Sequence, residues 1–345
     1  MSDLPRAPAL RVASLALLLA CAGVAGACGG AGQSSTSSAG GATTTLSSGG
    51  TTASGGTSGG GTSGGGAGGQ TSTGPVDFCK GCTLAAACTS FENGALKETS
   101  GIVPSALHDG AYYVHNDSGD SSRFFATNCA GDDLGTFELK DAANVDWEDL
   151  ERGPCGAKTC LFFADTGDNL EDRADYAVYR AEEPAALGAG VHKVPSVVYP
   201  FVYPDGSHDS EALLIHPETG EMAVVTKLKA AGKSGIYAFP MPLTPGVSAT
   251  LIKVGDVAPP TGSVRITAGD VHPNAEGILL RTYTSLFFYP MTAGQTLEAA
   301  LAAPPCEVPV MLELQGEAVA FTAAGKGYVT ASEMSGQSLH FATCK

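Results

Sequence analysis

The sequence predicts an all-β fold, a single β-propeller of five four-stranded blades, six if two units have been merged, standing behind a long N-terminal segment that cannot fold. Three observations predict it. Short apolar strands separated by Gly-, Pro- and Asp-rich turns fill the chain after residue 75. These strands recur in units about 45–65 residues apart, the period of propeller blades rather than of solenoid turns. The same kind of short polar motif also returns at the same place in successive units, which two packed sheets of a sandwich would not require.

The N-terminus comes first. Arg6 and Arg11 precede an apolar run from Val12 to Ala20, too short to span a bilayer as a mature helix, so residues 1–20 read as a signal peptide. Leu18-Leu19-Ala20-Cys21 resembles the lipobox at which a bacterial lipoprotein is cleaved and acylated, making Cys21 the expected lipidation site; Cys28, after Ala25-Gly26-Ala27, is the poorer alternative. From Gly29 to Pro75 the chain is almost wholly Gly, Ser, Thr and Ala. It offers little to bury, so it is expected to stay disordered. Residues 21–75 thus form a lipid-anchored linker with a root-mean-square reach of roughly 35–40 Å, and residues 76–345 form the propeller domain. The expected location is membrane-anchored, in the periplasm or at the cell surface.

Within the domain, the first strands align at Ser100-Gly101-Ile102, Glu148-Asp149-Leu150, Glu211-Ala212-Leu213, Gly269-Asp270-Val271 and Glu317-Ala318-Val319. Second strands follow at Ala111 to His115, Leu161 to Ala164, Met222 to Thr226, Gly277 to Leu280 and Gly327 to Thr330. Third strands begin at Arg123, Tyr176, Gly235, Leu286 and Leu339. Fourth strands are expected at Gly135 to Leu139, Ser196 to Val202, Leu251 to Val254 and Val308 to Leu314, and the fifth unit runs out of chain. The segment from Cys88 to Lys97 precedes the first unit, where a strand would close the ring, with Cys88 and Cys344 as a staple. Cys155 and Cys160 flank a four-residue turn and form the most local bridge. In an oxidising compartment disulfides outrank metal sites, and Cys79-Lys80-Gly81-Cys82 has no second pair to complete a zinc centre.

The formal charge of −16 disfavours nucleic acid, which is bound by releasing counterions to a basic patch. Cations are the expected partners. In a propeller the innermost strand begins, and the second strand ends, on one face around the channel, and the unusual polar residues fall at those places. Asp146-Trp147-Glu148-Asp149, His208-Asp209-Ser210-Glu211, Asp270 and Gln315-Gly316-Glu317 stand at first-strand starts. At second-strand ends stand His115 to Asp120, Asp165 to Asn169, Lys227, Arg281 and Glu333. The Asp-Ser/Thr-Gly-Asp element occurs twice, its first Asp seventeen residues after the aligned first-strand position. Asp and Gly also suit tight turns, yet carboxylates crowded on one face repel unless a cation neutralises them. Hard oxygen donors favour calcium or magnesium. Glu148, Asp149, Glu211, Asp270 and Glu317 are therefore the expected calcium ligands. Asp117, Asp120, Asp165, Asp168, Lys227 and Arg281 are candidate ligand-binding residues, the last two as an anion site or as partners of the neighbouring acids. His115 and His208 are candidate general bases, since imidazole titrates near neutrality, or hydrogen-bonded channel residues. His272 reads as structural, and Trp147 as packing between blades.

The segments Ser100-Gly101-Ile102, Asp146 to Leu150, Asp165 to Asn169, Asp209 to Leu213 and Gln315 to Val319 resemble exported β-propeller lipoproteins of bacteria over residues 98–345. The Glu-Ala and Glu-Asp strand starts alone look like those of phytase-like esterase propellers. That second resemblance implies a calcium-dependent phosphoesterase with basic and acidic sides to its channel mouth, and here the basic side is thin. The expected function is a monomeric, calcium-containing propeller that binds a small or polymeric ligand at its channel mouth. A metal-dependent esterase or phosphoesterase is the alternative, and a scaffold whose acidic rim only keeps it soluble is the third reading.

Overall fold

The computed structural model describes residues 76–228, 232–313, 315–334 and 336–345. The expected signal peptide, Cys21, Cys28 and the Gly/Ser/Thr linker lie outside the described residues. Strand β1 (Thr83–Leu84) is followed by β2 (Thr99–Pro104), β3 (Ala111–Asn116), β4 (Arg123–Asn128) and β5 (Gly135–Lys140). A second run holds β6 (Trp147–Cys155), β7 (Lys158–Asp165), β8 (Tyr176–Glu182) and β9 (Val191–Val202). The third holds β10 (Ser210–Ile215), β11 (Met222–Thr226), β12 (Ser234–Ala238), β13 (Ala249–Thr250) and β14 (Ile252–Val257). Then come β15 (Ile266–Val271), β16 (Gly277–Thr282), β17 (Leu286–Pro290), the short helix α1 (Leu297–Leu301) and β18 (Cys306–Val308), and finally β19 (Gly316–Phe321), β20 (Gly327–Ser332) and β21 (His340–Thr343).

The fold is an all-β propeller. Each run pairs as an antiparallel meander, except that β13 pairs in parallel with β9 of the second run, and the first strands pack beside one another in a closed cycle, β2 on β6, β6 on β10, β10 on β15, β15 on β19 and β19 back on β2. The last sheet has the order β1-β21-β20-β19, so the N-terminal strand supplies its outer edge. In the outer layer β9 is long because its first half pairs in parallel with β5, before its second half pairs with β8. The first two sheets are thereby joined into one.

The core explains why these strands read as unbroken apolar runs. Five buried clusters each fill the gap between two adjacent runs. In β16, Ile278 and Leu280 face the third run while Leu279 faces the fifth, so both faces of the strand are buried. A sheet covered on both faces selects for apolar residues at every position. Trp147 is fully buried where the first two runs meet. α1 packs against the gap between the third and fourth runs, capped by the Thr296 side chain, which accepts from the Ala299 N–H.

Among the described residues, four disulfides join Cys79 to Cys306, Cys82 to Cys344, Cys88 to Cys129 and Cys155 to Cys160. The local Cys155–Cys160 bridge is as expected, but Cys88 does not pair with Cys344. The closing strand is Thr83–Leu84, paired with Thr343 and Ala342, and this register sets Cys82 beside Cys344. Cys88 lies next to Cys129, where the Thr89 N–H donates to the Cys129 carbonyl at 3.1 Å. The expected fourth strand Val308 to Leu314 is also corrected. β18 ends at Val308 because Pro309 has no N–H to continue the ladder.

Candidate functional site

Every inner strand opens with a register shift, between Thr99 and Gly101, Trp147 and Asp149, Ser210 and Ala212, Ile266 and Ala268, and Gly316 and Ala318. A bulge leaves one residue unpaired and re-aims its side chain. The five residues so placed are Ser100, Glu148, Glu211, Thr267 and Glu317. Neighbouring starts touch: Ser100 Oγ donates to the Glu148 carbonyl at 2.5 Å, and Thr267 Oγ1 to the Gly316 carbonyl at 2.7 Å. All five bulges therefore surround one end of the ring. The residues just beyond the paired ends of the second strands, Asp117, Thr166, Lys227, Tyr283 and Glu333, form a tier beside them.

At this end Asp117, Asp146 and Glu148 each offer a carboxylate oxygen within 4.8 Å of the other two, and so do Glu148, Asp209 and Glu211. Glu148 belongs to both sets. Gly167 makes room for it: a Cβ there would stand 2.1 Å from Glu148 Oε1 and 2.6 Å from the Asp146 carboxyl carbon. Lys227 Nζ contacts Glu211 Oε1 and lies 5.0 Å from the centre of the Tyr283 ring. Among the described residues, the buried Oε2 atoms of Glu211 and Glu317 have no hydrogen-bond partner. Arg173, at the side, is engaged with Asp165 at 3.0 Å.

Burial and crowding hold the carboxyls of Asp117, Asp146, Glu148, Glu211 and Glu317 above the ordinary carboxylate range. Burial, with the charges of Glu211, Asp117 and Asp146, raises Glu148. Burial likewise raises Glu211, against the opposing pull of Lys227. Asp117 is pushed up to about 6, Asp146 to about 7 and Glu317 to about 8, burial being the largest cause in each. Burial disfavours the Lys227 ammonium, yet Glu211, Glu317 and Glu148 together hold it above its usual range.

Of the five expected metal ligands, the structure brings Glu148, Glu211 and Glu317 together and leaves Asp149 and Asp270 elsewhere. Asp149 follows the bulge and turns into the inner strands, where it accepts from the Leu150 N–H at 2.9 Å, the Leu213 N–H at 2.9 Å and the Gly269 N–H at 3.2 Å. It pins three strands. Asp270 is three residues past the true bulge position, which is Thr267. Its carboxylate accepts from the Phe321 N–H at 2.5 Å and shares its surroundings with Glu151 and Arg152.

The twice-repeated Asp element divides in the same way. Asp117 faces the cluster, but Asp165 pairs with Asn116 across the repeat, one position short of it, because the register places Asp165 opposite Trp147 and Asn116 opposite Thr99. Asp165 accepts from the Asp146 N–H at 3.0 Å. Asp168 accepts from Tyr176 Oη at 2.8 Å and from the N–H groups of Asp172 and Arg173, and Asp120 holds Arg123 and Asn116. These three aspartates fasten turns. Arg281 is not equivalent to Lys227: it stands opposite Ala268, the position of His115 in the first run, and is buried against Glu313 and the Ala318 carbonyl.

Neither histidine faces the carboxylates. His115 is fully buried edge-on to Trp147, with Nδ1 2.9 Å from the Asn116 carbonyl, and burial pushes it down to about 4. His208 lies outside the ring against Asp205 and Tyr237 Oη, each at 2.9 Å. His272 is buried with Nε2 2.9 Å from the Gly325 carbonyl. Sequence reasoning did not single out Asp146 and Asp209 as ligands, although the spacing Asp146-x-Glu148 and Asp209-x-Glu211 repeats in two units and was the available signal. Thr267 carried no such signal.

No protein-family model matches the chain, and no curated protein matches it in sequence. Among solved structures it is similar to a gluconolactonase of Xanthomonas campestris, at 11% identity and a TM-score of 0.40, over 72% of each chain. At that distance the likeness carries no functional argument.

Proposed function

We propose that this chain is an exported, lipid-anchored propeller of five four-stranded blades that binds a calcium ion in the acidic mouth of its channel and engages a small or polymeric ligand there. The observation that carries the reading is the bulge equivalence. Three of five equivalent, re-aimed side chains are glutamates, and two of them keep a buried oxygen with no hydrogen-bond partner among the described residues. A buried carboxylate oxygen without a donor is costly, and a cation is the partner that removes the cost. The donor set holds neither cysteine nor histidine, which favours calcium or magnesium over zinc or copper. Glu148, Asp209 and Glu211 would form the inner ligand set, with Asp117 and Asp146 reached through Glu148 and Glu317 completing the ring. A bound ion would supply polarisation of a ligand oxygen.

A second reading, metal-dependent ester or phosphoester hydrolysis, is favoured by Asp146. This half-buried carboxyl, held at about 7 chiefly by burial and then by its acidic neighbours, suits a proton acceptor near neutrality. His115, held at about 4, does not share that role.

Calorimetric titration of the full chain with calcium tests the proposal. We expect one ion per chain and a binding heat that changes with the ionisation enthalpy of the buffer, because raised carboxyls must release protons to bind metal. Absence of calcium binding in the wild-type chain would overturn it.

A further inference from the structure

Among the described residues, Lys227 is the cation placed at the mouth, where it opposes a metal ion. β11 ends at Thr226, opposite Ser210, so Lys227 stands directly beside the Glu211 bulge. Its N–H donates to the Asp209 carbonyl at 2.7 Å, fixing the backbone there. Only 10% of its side chain is exposed. The ammonium contacts Glu211 Oε1 and rests over Tyr283, while the equivalent positions of the other runs carry Asp117, Thr166, Tyr283 and Glu333, none of them cationic. Glu211 is also one of the three residues whose oxygens lie within 4.8 Å of one another in the inner set. The ammonium holds Oε1 of the carboxylate whose Oε2 is left without a partner, so an ion in that set is repelled across one carboxylate, and an ion that takes both oxygens must displace the ammonium.

We propose that Lys227 is a tethered competitor at the cation site, so that a divalent ion binds by displacing its ammonium from Glu211. The inference rests on the reading of the mouth as a calcium site. A monovalent ion offers no more charge than the ammonium, which is already present at the high effective concentration of a tethered group. Divalent ions carry twice that charge and win the exchange. Lys227 thus sets both the affinity of the site and its preference for divalent over monovalent ions.

Calcium titrations of the full chain as wild type, Lys227→Met and Lys227→Arg test this. The methionine variant should bind calcium about tenfold tighter or more, since a unit charge a few Å from the site exerts at least that effect even when well screened. The arginine variant, which keeps the competing charge, should stay near the wild type. Calcium bound by the methionine variant and not by the wild type would support competition even though the wild-type calcium site fails. Wild-type binding that the methionine variant leaves unchanged or weakens would overturn the inference alone, as would an arginine variant that tightens as much. Binding by neither chain would overturn it together with the calcium site. If the methionine variant loses its cooperative unfolding transition, amine acylation of the wild-type chain decides: millimolar calcium should quicken modification of Lys227, and an unchanged or slower rate would overturn the inference.

Discussion

Glu148 shows how much a single residue at a bulge determines. It belongs to both groups of converging carboxylates, and Gly167 is the cradle that lets it sit against Asp146. Gly167→Ala should therefore weaken calcium binding, with a stability loss of about 1–3 kcal/mol from overpacking; calorimetry and a urea melt on the same variant would measure the two effects. Titration behaviour follows from the same crowding. A carboxyl whose folded pKa lies above its unfolded value favours the folded state fully below the unfolded value, and that contribution is lost as pH rises through the folded one. Asp117, Asp146 and Glu317 titrate at about 6, 7 and 8 in the folded protein. In chelator, stability should fall between about pH 4 and pH 8, and calcium should flatten that fall. Thermal unfolding across this range, with and without chelator, checks the sign, and stability that rises with pH in chelator would contradict it.

At the scale of the element, the closing strand β1 and its disulfides carry the most. Cys82–Cys344 and Cys79–Cys306 close loops of 262 and 227 residues, whereas Cys155–Cys160 spans 5. In the chain-entropy model either long bridge alone contributes about 5 kcal/mol; with the other in place it contributes about 4, against about 2 for the short one. Cys82→Ser with Cys344→Ser should lower the melting temperature well beyond Cys155→Ser with Cys160→Ser. Equal losses would show that the ring is not held by its N-terminal latch. Second and third strands were legible in the sequence because burial on both faces makes them unbroken apolar runs, as in Gly277–Thr282. Bulges were not legible, since nothing in the residues marks which one will be left unpaired. That is why Gly269-Asp270 was aligned where Thr267-Ala268 belongs; Asp165 and Asp117 looked equivalent because the β6–β7 hairpin is one residue longer than the β2–β3 hairpin. Disulfide partners across the closure depended on which short strand closes the ring, and Thr83–Leu84 is too brief to announce itself.

For the whole molecule, the proposed lipid anchor is the feature to test. If Cys21 carries the lipid, the chain should partition into detergent, and Cys21→Ser should abolish that. Unchanged partitioning would shift the anchor to Cys28 or remove it.

Calcium in the acidic mouth would bind the folded ring alone. A ligand that binds only the folded state stabilises it by about 2.7 kcal/mol at a hundred times its dissociation constant. For a domain of this size each kcal/mol moves the melting temperature by about 2–4 °C. The melting temperature of the full chain should therefore be several degrees higher in millimolar calcium than in chelator, and Glu148→Gln with Glu317→Gln should remove most of that gain. Equal melting temperatures in calcium and in chelator would show that the mouth holds no calcium.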